Sequence, residues 1–369
     1  MRTLSRHLVL ILVLTGLVAD APAQDRARAG YKQFNLVSDI AGVAPKRDRR
    51  LVNPWGISAS PTGPWWISDN ESSVTTAYNR VGVPVRNQNS KFDVAIPSPA
   101  NQRGEGKPTG IVYNPTDDFV LIGDFSAPAR FIIVTEEGLI TGWNSNLSDG
   151  VALTMVDNSG AGAKYTGVAL LTGQAGSVLA VANFAQGVVE LYDRDLQLTR
   201  VFMDDTVGED YAPFNVQNVD GFLYVAFALR SDDGDEVAGP GLGFVDVYTP
   251  DGEFQYRFVT HGVLNAPWAI VHAPSNFGDF SGAILVGNFG DGRISAFDEG
   301  TGELLGQLSN KRGEPLEIEG LWGLAFGNGA EAGRTNWLYF AAGIDDEAHG
   351  LFGRITAQSQ ASTLIAEPR

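Results

Sequence analysis

The sequence predicts an all-β fold: a six-bladed β-propeller of four-stranded antiparallel blades, whose ring is closed by an N-terminal strand that completes the last blade. Three observations support this prediction. One strand-like phrase recurs six times at a nearly constant spacing, a second phrase follows each copy, and the sixth copy lacks a fourth strand. Short strands that repeat at intervals of about 40–50 residues are typical of propeller blades.

The first phrase reads Pro-x-Gly-Ile in its clearest copies. Its third residue falls at positions 56, 110, 167, 215, 269 and 323, so the steps are 54, 57, 48, 54 and 54 residues. The second phrase is an aliphatic pair, a small residue and Asp or Asn. It ends at Asp69, Asp124, Asn183 and Asn288, whereas the fourth copy has Phe227 there and the sixth has Ala342. A third, amphipathic strand follows in each copy, and a turn and fourth strand are clearest in the middle copies.

The two ends of the chain define how the ring closes. The sixth copy is followed only by residues 358–369, which contain no convincing fourth strand, while residues 31–38 alternate as a strand before the first copy begins. We therefore predict a signal peptide at 1–24 and a single propeller domain at 25–369. Its blades are expected at about 52–100, 106–150, 163–205, 211–260, 265–310 and 319–357, with a clasp strand at 31–38.

The amino terminus has the composition of a secretory signal. Arg2, Arg6 and His7 precede an apolar run at 8–18, and small residues follow at 21 and 23. This order is typical of a signal peptide cleaved near 23–24, and the run is shorter than the ~20 residues that span a bilayer. A retained anchor is the alternative. We expect a secreted or periplasmic monomer with no transmembrane segment after signal removal.

Charge and composition exclude several classes of function. The chain has 43 acidic and 26 basic side chains and a net charge of −17, which argues against a nucleic-acid partner. It has no cysteine, which removes disulfides, thiolate metal sites and cysteine nucleophiles. The sequence also lacks a Gly-x-Ser-x-Gly elbow, a phosphate loop, a dinucleotide-binding fingerprint and a His-Glu-x-x-His zinc motif.

The two phrases together predict a ligand site. The start of strand one and the end of strand two lie at the same end of an antiparallel blade, so both phrases are expected to meet on one face around the channel. The ligand-binding candidates at the strand-one starts are Asn53, Trp55, Asn265, Trp268 and Trp322. The tryptophans suit a stacking platform for a sugar or another flat ligand; the alternative is that they fill space between neighbouring sheets.

Oxygen-bearing side chains at the strand-two ends point to a metal. A ring of Asp69, Asp124, Asn183 and Asn288 has ligand chemistry suited to Ca²⁺ or Mg²⁺, whereas strand-end Asp and Asn also commonly bond the backbone of the next turn. His349 follows several carboxylates, and His349 and Glu319 are candidate proton-transfer residues. The alternative for His349 is a hydrogen-bonded loop residue. The acidic loop at 230–241 is either a Ca²⁺ ligand or lid, or a solvated segment.

The repeated phrases resemble the NHL-type blade and, more remotely, the gluconolactonase and streptogramin-lyase propellers. Segments 264–268, 286–294, 320–329 and 346–354 resemble an uncharacterised family of secreted bacterial propellers, which implies this fold and export but no known reaction. Two functions stay open, since the fold hosts both. One is a binding or scaffold protein that recognises a small molecule, glycan or protein at the channel face. The other is a divalent-metal-assisted hydrolase or lyase in the central channel.

Overall fold

Six sheets surround a central channel in the computed structural model, which describes residues 30–87, 90–99, 105–123, 125–148 and 150–358. The innermost strands of neighbouring sheets contact one another, and the sixth contacts the first, so the ring is closed. Buried apolar side chains fill the space between adjacent sheets. The predicted six-bladed propeller is confirmed.

Each blade has four antiparallel strands, which we number outward from the channel. Strand one of blades one to six is Pro54–Ala59, Pro108–Tyr113, Tyr165–Gly173, Tyr211–Val219, Pro267–His272 and Leu321–Phe326. Strand two is Trp65–Asp69, Phe131–Thr135, Gly176–Asn183, Phe222–Arg230, Ile284–Asn288 and Trp337–Ile344. Strand three is Val74–Tyr78, Leu139–Trp143, Val188–Tyr192, Phe244–Tyr248, Ile294–Phe297 and His349–Ala357. Strand four is Asp93–Ala95, Leu153–Asp157, Leu198–Phe202, Phe254–Thr260, Leu304–Gln307 and Tyr31–Ser38.

The glycine of the first phrase lies where neighbouring inner strands come closest. A Cβ atom on Gly110 would lie 2.7 Å from the amide nitrogen of Val168, and one on Gly323 would lie 2.6 Å from the carbonyl oxygen of Trp55. Real Cβ atoms essentially never approach other atoms to less than 3.0 Å, so a side chain at either position would push two blades apart. The recurring glycine is therefore a requirement of packing one blade against the next.

The clasp strand closes the ring as predicted. Tyr31–Ser38 pairs antiparallel with His349–Ala357 and becomes the outer strand of blade six. The Tyr31 hydroxyl donates to the carbonyl oxygen of Phe277 at 2.9 Å, which joins the clasp to blade five. A short strand, Lys46–Arg47, runs parallel beside the clasp. The first described residues of the chain thus hold the last blade in place.

Blade two differs from the predicted strand order. The prediction that residues 121–124 belong to its second strand is wrong, because Val120–Ile122 pairs with Ser126–Pro128 in a separate hairpin. Phe131–Thr135 pairs directly with strand one instead, and all five of its side chains are buried. An unbroken run of apolar β-formers takes the position beside strand one, whereas the hairpin leaves Ile122 84% exposed. The fourth strand then carries this blade past the predicted boundary at about 150.

Smaller elements complete the fold. Blade one carries a hairpin of Arg86–Asn87 and Ser90–Lys91, and the acidic loop of blade four contains Glu236–Val237, which pairs with the end of strand two. Single turns of 3₁₀ helix span Asn70–Ser72, Ser159–Ala161 and Gly278–Phe280. Within the described ranges, no helix has the length and apolar character needed to cross a membrane. The predicted signal peptide at 1–24 lies outside the described residues.

Candidate functional site

Three of the predicted ligand residues meet inside the channel. The rings of Trp55 and Trp322 stack with centroids 3.5 Å apart, and Trp268 meets them edge-on at 6.4 and 5.8 Å. All three are buried, and the Trp268 indole donates to the carbonyl oxygen of Thr166, on blade three, at 3.2 Å. Because these rings reach across the ring of blades, they fill the channel and do not present an open platform. We call Trp55, Trp268 and Trp322 the tryptophan plug.

The two predicted asparagines hold loops next to the plug. Asn53 accepts the indole hydrogen of Trp322 at 3.1 Å through Oδ1, and its Nδ2 donates to Glu347 Oε2 at 2.6 Å. Its φ is +45°, which asparagine adopts more readily than most residues. Asn265 is also buried, and its Oδ1 accepts from the amide of Gly239 in the acidic loop at 2.6 Å. Asn53 therefore connects the plug with the face predicted to carry the site.

Asp69, the first predicted metal ligand, points into its own blade. It is fully buried, and its Oδ2 accepts from the Thr76 hydroxyl on strand three at 2.7 Å. Burial raises the pKa of Asp69 well above its usual value. Asp124, the second predicted ligand, lies outside the described residues. Asp69 is thus enclosed between strands of blade one.

The two predicted asparagine ligands also have partners of their own. Asn183 donates to Glu190 Oε1 on strand three of the same blade, at 2.7 Å. Asn288 donates to the carbonyl oxygen of Val263, in the loop that enters its blade, at 2.8 Å. These hydrogen bonds fit the alternative interpretation, in which Asp and Asn at strand ends stabilise the adjoining strands and turns.

Four glutamates from four different blades form a cluster at the mouth where the strands one begin. We call Glu71, Glu136, Glu236 and Glu347 the acidic face. Burial raises the pKa of Glu347 to about 7, and repulsion from the other three carboxylates adds to the rise. Lys164 offsets part of this negative charge, because its Nζ lies 3.5 Å from Glu136 Oε1. This mouth is therefore rich in carboxylates, and none of the four glutamates belongs to the predicted metal ring.

These glutamates could have been found from the sequence, because they follow the ends of strand two, although the predicted site considered only the strand-end residues themselves. Glu71 lies two residues after the strand-two end Asp69, and Glu136 directly follows the strand-two end Thr135. The acids thus lie in the turn that follows strand two and not on the strand itself. In blade two, the predicted second strand was residues 121–124, so Glu136 was not recognised as following a strand-two end.

His349 and Glu319, the candidate proton-transfer residues, are linked through Asp345. His349 Nδ1 lies 2.6 Å from Asp39 Oδ2, and its Nε2 lies 3.8 Å from Asp345 Oδ2. The hydrogen bond with Asp39 raises the pKa of His349. Glu319 accepts the amide hydrogen of Asp345 through Oε1 at 3.0 Å. His349 therefore holds the loop after the clasp strand against blade six.

The channel opens as a cavity at the opposite mouth, where the strands one end. Its volume is about 630 Å³, and residues of all six blades line it. Trp268 of the tryptophan plug is part of its lining, so the plug separates the cavity from the acidic face. The walls combine apolar and amide side chains, including Ile57, Val168, Asn215, Gln217 and Leu324.

Sequence reasoning placed the site at the starts of the strands one and therefore missed this cavity at their ends. A signal is present in the fourth copy. There, strand one reads Phe-Asn-Val-Gln-Asn, with amide side chains at Asn215 and Gln217, whereas blades two and five carry glycine or alanine and then valine at the corresponding positions. Amide side chains on an innermost strand indicate that this part of the channel wall is polar.

The relatives of the chain are viral proteins. An uncharacterised protein of Acanthamoeba polyphaga mimivirus is 32% identical over 349 residues, which cover 89% of this chain and 81% of that protein. A second uncharacterised protein of the same virus is 30% identical over 341 residues, which cover 89% and 87%. The bacterial origin implied by the resemblance described above finds no support in these relatives. No family model matches the chain.

Solved structures share the propeller fold with this chain. A structure of streptogramin B lyase has a TM-score of 0.48 and 12% identity, and the match covers 89% of this chain and 99% of that one. A gluconolactonase from Xanthomonas campestris has a TM-score of 0.40 and 16% identity, with 62% and 82% covered. Such likenesses concern the fold alone. Since two relatives are at least 30% identical over most of both chains, the protein belongs to the family that contains these mimivirus proteins.

Proposed function

We propose that the protein is a recognition protein that binds a small uncharged molecule in the channel cavity, and that the ligand is a mono- or disaccharide. The cavity volume of about 630 Å³ lies within the range of roughly 300–1,000 Å³ that ligand sites occupy. The observation that carries the proposal is a partly exposed amide on the cavity wall, the side chain of Gln217.

Asn215, which precedes Gln217 on this strand, has both polar atoms of its side chain enclosed by neighbouring blades. Its Nδ2 donates to the carbonyl oxygen of Trp268 at 2.8 Å. Its Oδ1 is buried and has no partner among the residues that the structure describes. An added Cβ on Gly167 would collide with this oxygen, so Oδ1 faces blade three and not the cavity. Gln217, two residues further along the same strand, is partly exposed, so its amide can donate to and accept from a ligand hydroxyl in the cavity.

The charge of the lining supports an uncharged ligand and binding without catalysis. Among the described residues that line the cavity, Asp220 and Tyr113 are the only ones with titratable side chains. An ionic ligand would lose its hydration there with a single carboxylate available as counter-charge. General acid–base catalysis needs positioned groups with suitable pKa values, and the walls supply amides and aliphatic side chains instead.

We also propose that the protein acts outside the cytoplasm. This proposal is supported by the composition of residues 2–24 alone: a basic start, a short apolar run and small residues at a cleavage site. N-terminal sequencing of protein recovered from the periplasm of a bacterial host should give a first residue near 24–25. A cytosolic product that still starts at Met1 would contradict it.

The test of binding is calorimetric titration of the protein with a panel of neutral mono- and disaccharides. Gln217→Leu changes the cavity wall, and Gln255→Leu is the matched control on the exposed outer strand of blade four. We expect a saccharide that binds the wild type and Gln255→Leu equally, and binds Gln217→Leu about tenfold more weakly, the effect of one hydrogen bond. Absence of binding by every saccharide, or equal affinity for both variants, would overturn the proposal.

A further inference from the structure

Asp220, His272 and Glu299 come together on the cavity face, at the rim between blades four and five. Their side-chain ligand atoms all lie within 4.8 Å of one another. Asp220 belongs to the turn between strands one and two of blade four, His272 ends strand one of blade five, and Glu299 follows strand three of blade five. The cluster therefore joins two blades through three separate elements.

We propose that this cluster binds a divalent transition-metal ion such as Zn²⁺, with His272 and Glu299 as ligands and Asp220 as the residue that positions the imidazole. This inference is independent of the saccharide proposal, because the ion would lie on the side of the imidazole turned away from Asp220, the cluster's one residue in the cavity lining.

The Asp220 carboxylate fixes the imidazole. His272 Nδ1 lies 2.5 Å from Asp220 Oδ2. Two atoms bound to one tetrahedral ion, at bond lengths of about 2.0–2.1 Å, sit about 3.3 Å apart, so this pair is too close to share an ion. The contact is a hydrogen bond in which Nδ1–H donates. Asp220 and Gly221, with φ values of 51° and 88°, form a two-residue turn of the type that Asp-Gly favours, which fixes where the carboxylate starts.

The other ring nitrogen faces oxygen atoms alone. His272 Nε2 lies 3.3 Å from the carbonyl oxygen of Gly282 and 3.7 Å from Glu299 Oε2. With the hydrogen on Nδ1, Nε2 presents a lone pair to two acceptors that have no hydrogen to give. A cation between these atoms removes the repulsion, and both separations are close to the spacing of ligands around one ion.

The chemistry of the donors selects the kind of ion. Imidazole nitrogen with a carboxylate suits Zn²⁺ and its neighbours in the transition series, whereas Ca²⁺ and Mg²⁺ prefer oxygen ligands throughout. A carboxylate that holds the second imidazole nitrogen is the usual support of a metal-bound histidine. The side chains of Asp220 and Glu299 are 60% and 56% exposed, so an ion can enter from solvent.

The competing arrangement is a doubly protonated His272 that donates to oxygen on both sides and needs no metal. Calorimetric titration of the tag-free protein with Zn²⁺ at near-neutral pH separates the two. We expect one equivalent to bind, His272→Ala and His272→Gln to lose binding at least thirtyfold, and Asp220→Asn to weaken it about 10–100-fold, the usual effect of removing a supporting carboxylate. Glu299→Gln should weaken it as well. His261→Ala is the control, since His261 is an exposed histidine in the loop that enters blade five.

Thermal unfolding of each variant without metal checks that the fold is kept, and the visible absorption of the Co²⁺-substituted protein reports directly on the histidine ligand. Wild type that fails to bind Zn²⁺ at millimolar concentration, or His272 variants that bind as tightly as wild type, would overturn the site. Unchanged binding by Asp220→Asn would overturn the positioning role of that carboxylate.

Discussion

Asn215 donates to the carbonyl oxygen of Trp268 at 2.8 Å and so joins blade four to the tryptophan plug. At the same position of the first phrase, blades one, two, three and six carry glycine. The larger side chain fits because it lies against Gly167 of blade three, where an added Cβ would collide with it. The departure of the fourth copy from the motif therefore adds a hydrogen bond between blade four and the tryptophan plug.

Replacement of the motif glycine should destabilise the ring. We expect Gly110→Ala to lower the free energy of unfolding by about 1–3 kcal/mol, because the new methyl group would press on the backbone of blade three. Gly160→Ala is the matched control, since nothing lies within 4 Å of an added Cβ there. Urea unfolding of both variants measures the difference. Equal stability of the two would contradict the packing role of the glycine.

The clasp strand should be required for stability. Val37 of the clasp strand is fully buried in an apolar cluster, so Val37→Asp would place an unpaired carboxylate there, at a cost of about 3 kcal/mol or more. Lys32→Asp, at an exposed position of the same strand, should change the free energy of unfolding by less than about 0.5 kcal/mol. Chemical denaturation reports both. A clasp that merely lies on the surface would make the two substitutions equivalent.

The tryptophan plug should contribute packing energy. Trp322 is fully buried and stacks on Trp55 and on Phe289, whose centroid is 4.2 Å away. Trp322→Ala should therefore destabilise the protein by about 3–5 kcal/mol, from lost burial and the cavity left behind. Trp337→Ala, a partly exposed tryptophan of blade six, should cost less than half as much. Comparable losses in denaturation midpoint would show that the plug is not a packed core.

The acidic face should make stability depend on pH. The pKa of Glu347 rises from 4.5 to about 7 on folding, so between these values the folded protein holds a proton that the unfolded chain has released. The folded state then loses stability as the pH rises through this window, because it must give up the proton that it binds more tightly. Wild-type stability should thus decrease between about pH 5 and about pH 8.

Glu347→Gln removes the titrating group and keeps an oxygen that can accept from Asn53. Its loss of stability across the same pH range should be smaller than that of wild type, by roughly 1–3 kcal/mol. Glu303→Gln, at an exposed position, should follow the wild type. Urea unfolding at the two pH values gives the comparison. A Glu347→Gln profile parallel to wild type would mean that this carboxyl titrates as if it were in water.

The number of blades and the clasp could be predicted because each depends on a local pattern. Gly110 and Gly323 recur where one inner strand must approach the next, and residues 31–38 alternate like the strand that blade six lacks. The strand order of blade two could not be predicted in this way. Residues 121–124 fit the second phrase, and only the pairing of Ile133 with Ile111 decides that a later run takes the place beside strand one.

The sequence prediction concerns the mouth where the first strands begin, whereas the channel cavity lies at the other mouth. Recurring positions correctly indicated that Trp55, Trp268 and Trp322 would lie near one another. Whether three indoles line an open mouth or fill the channel depends on its width and on their side-chain rotamers, which motif spacing does not contain. The hydrogen bond between Asn215 and Trp268 joins two blades, and one copy of the repeat cannot reveal such a contact.

The most direct measurement of the central claim is a crystal structure of the protein soaked with the neutral saccharide that binds best in solution. Our account predicts the sugar in the channel cavity, with a hydroxyl within hydrogen-bond distance of the Gln217 side-chain amide and the tryptophan plug unmoved beneath it. Sugar bound at the acidic face, or a cavity that holds only water at saturating concentrations of every saccharide tested, would contradict it.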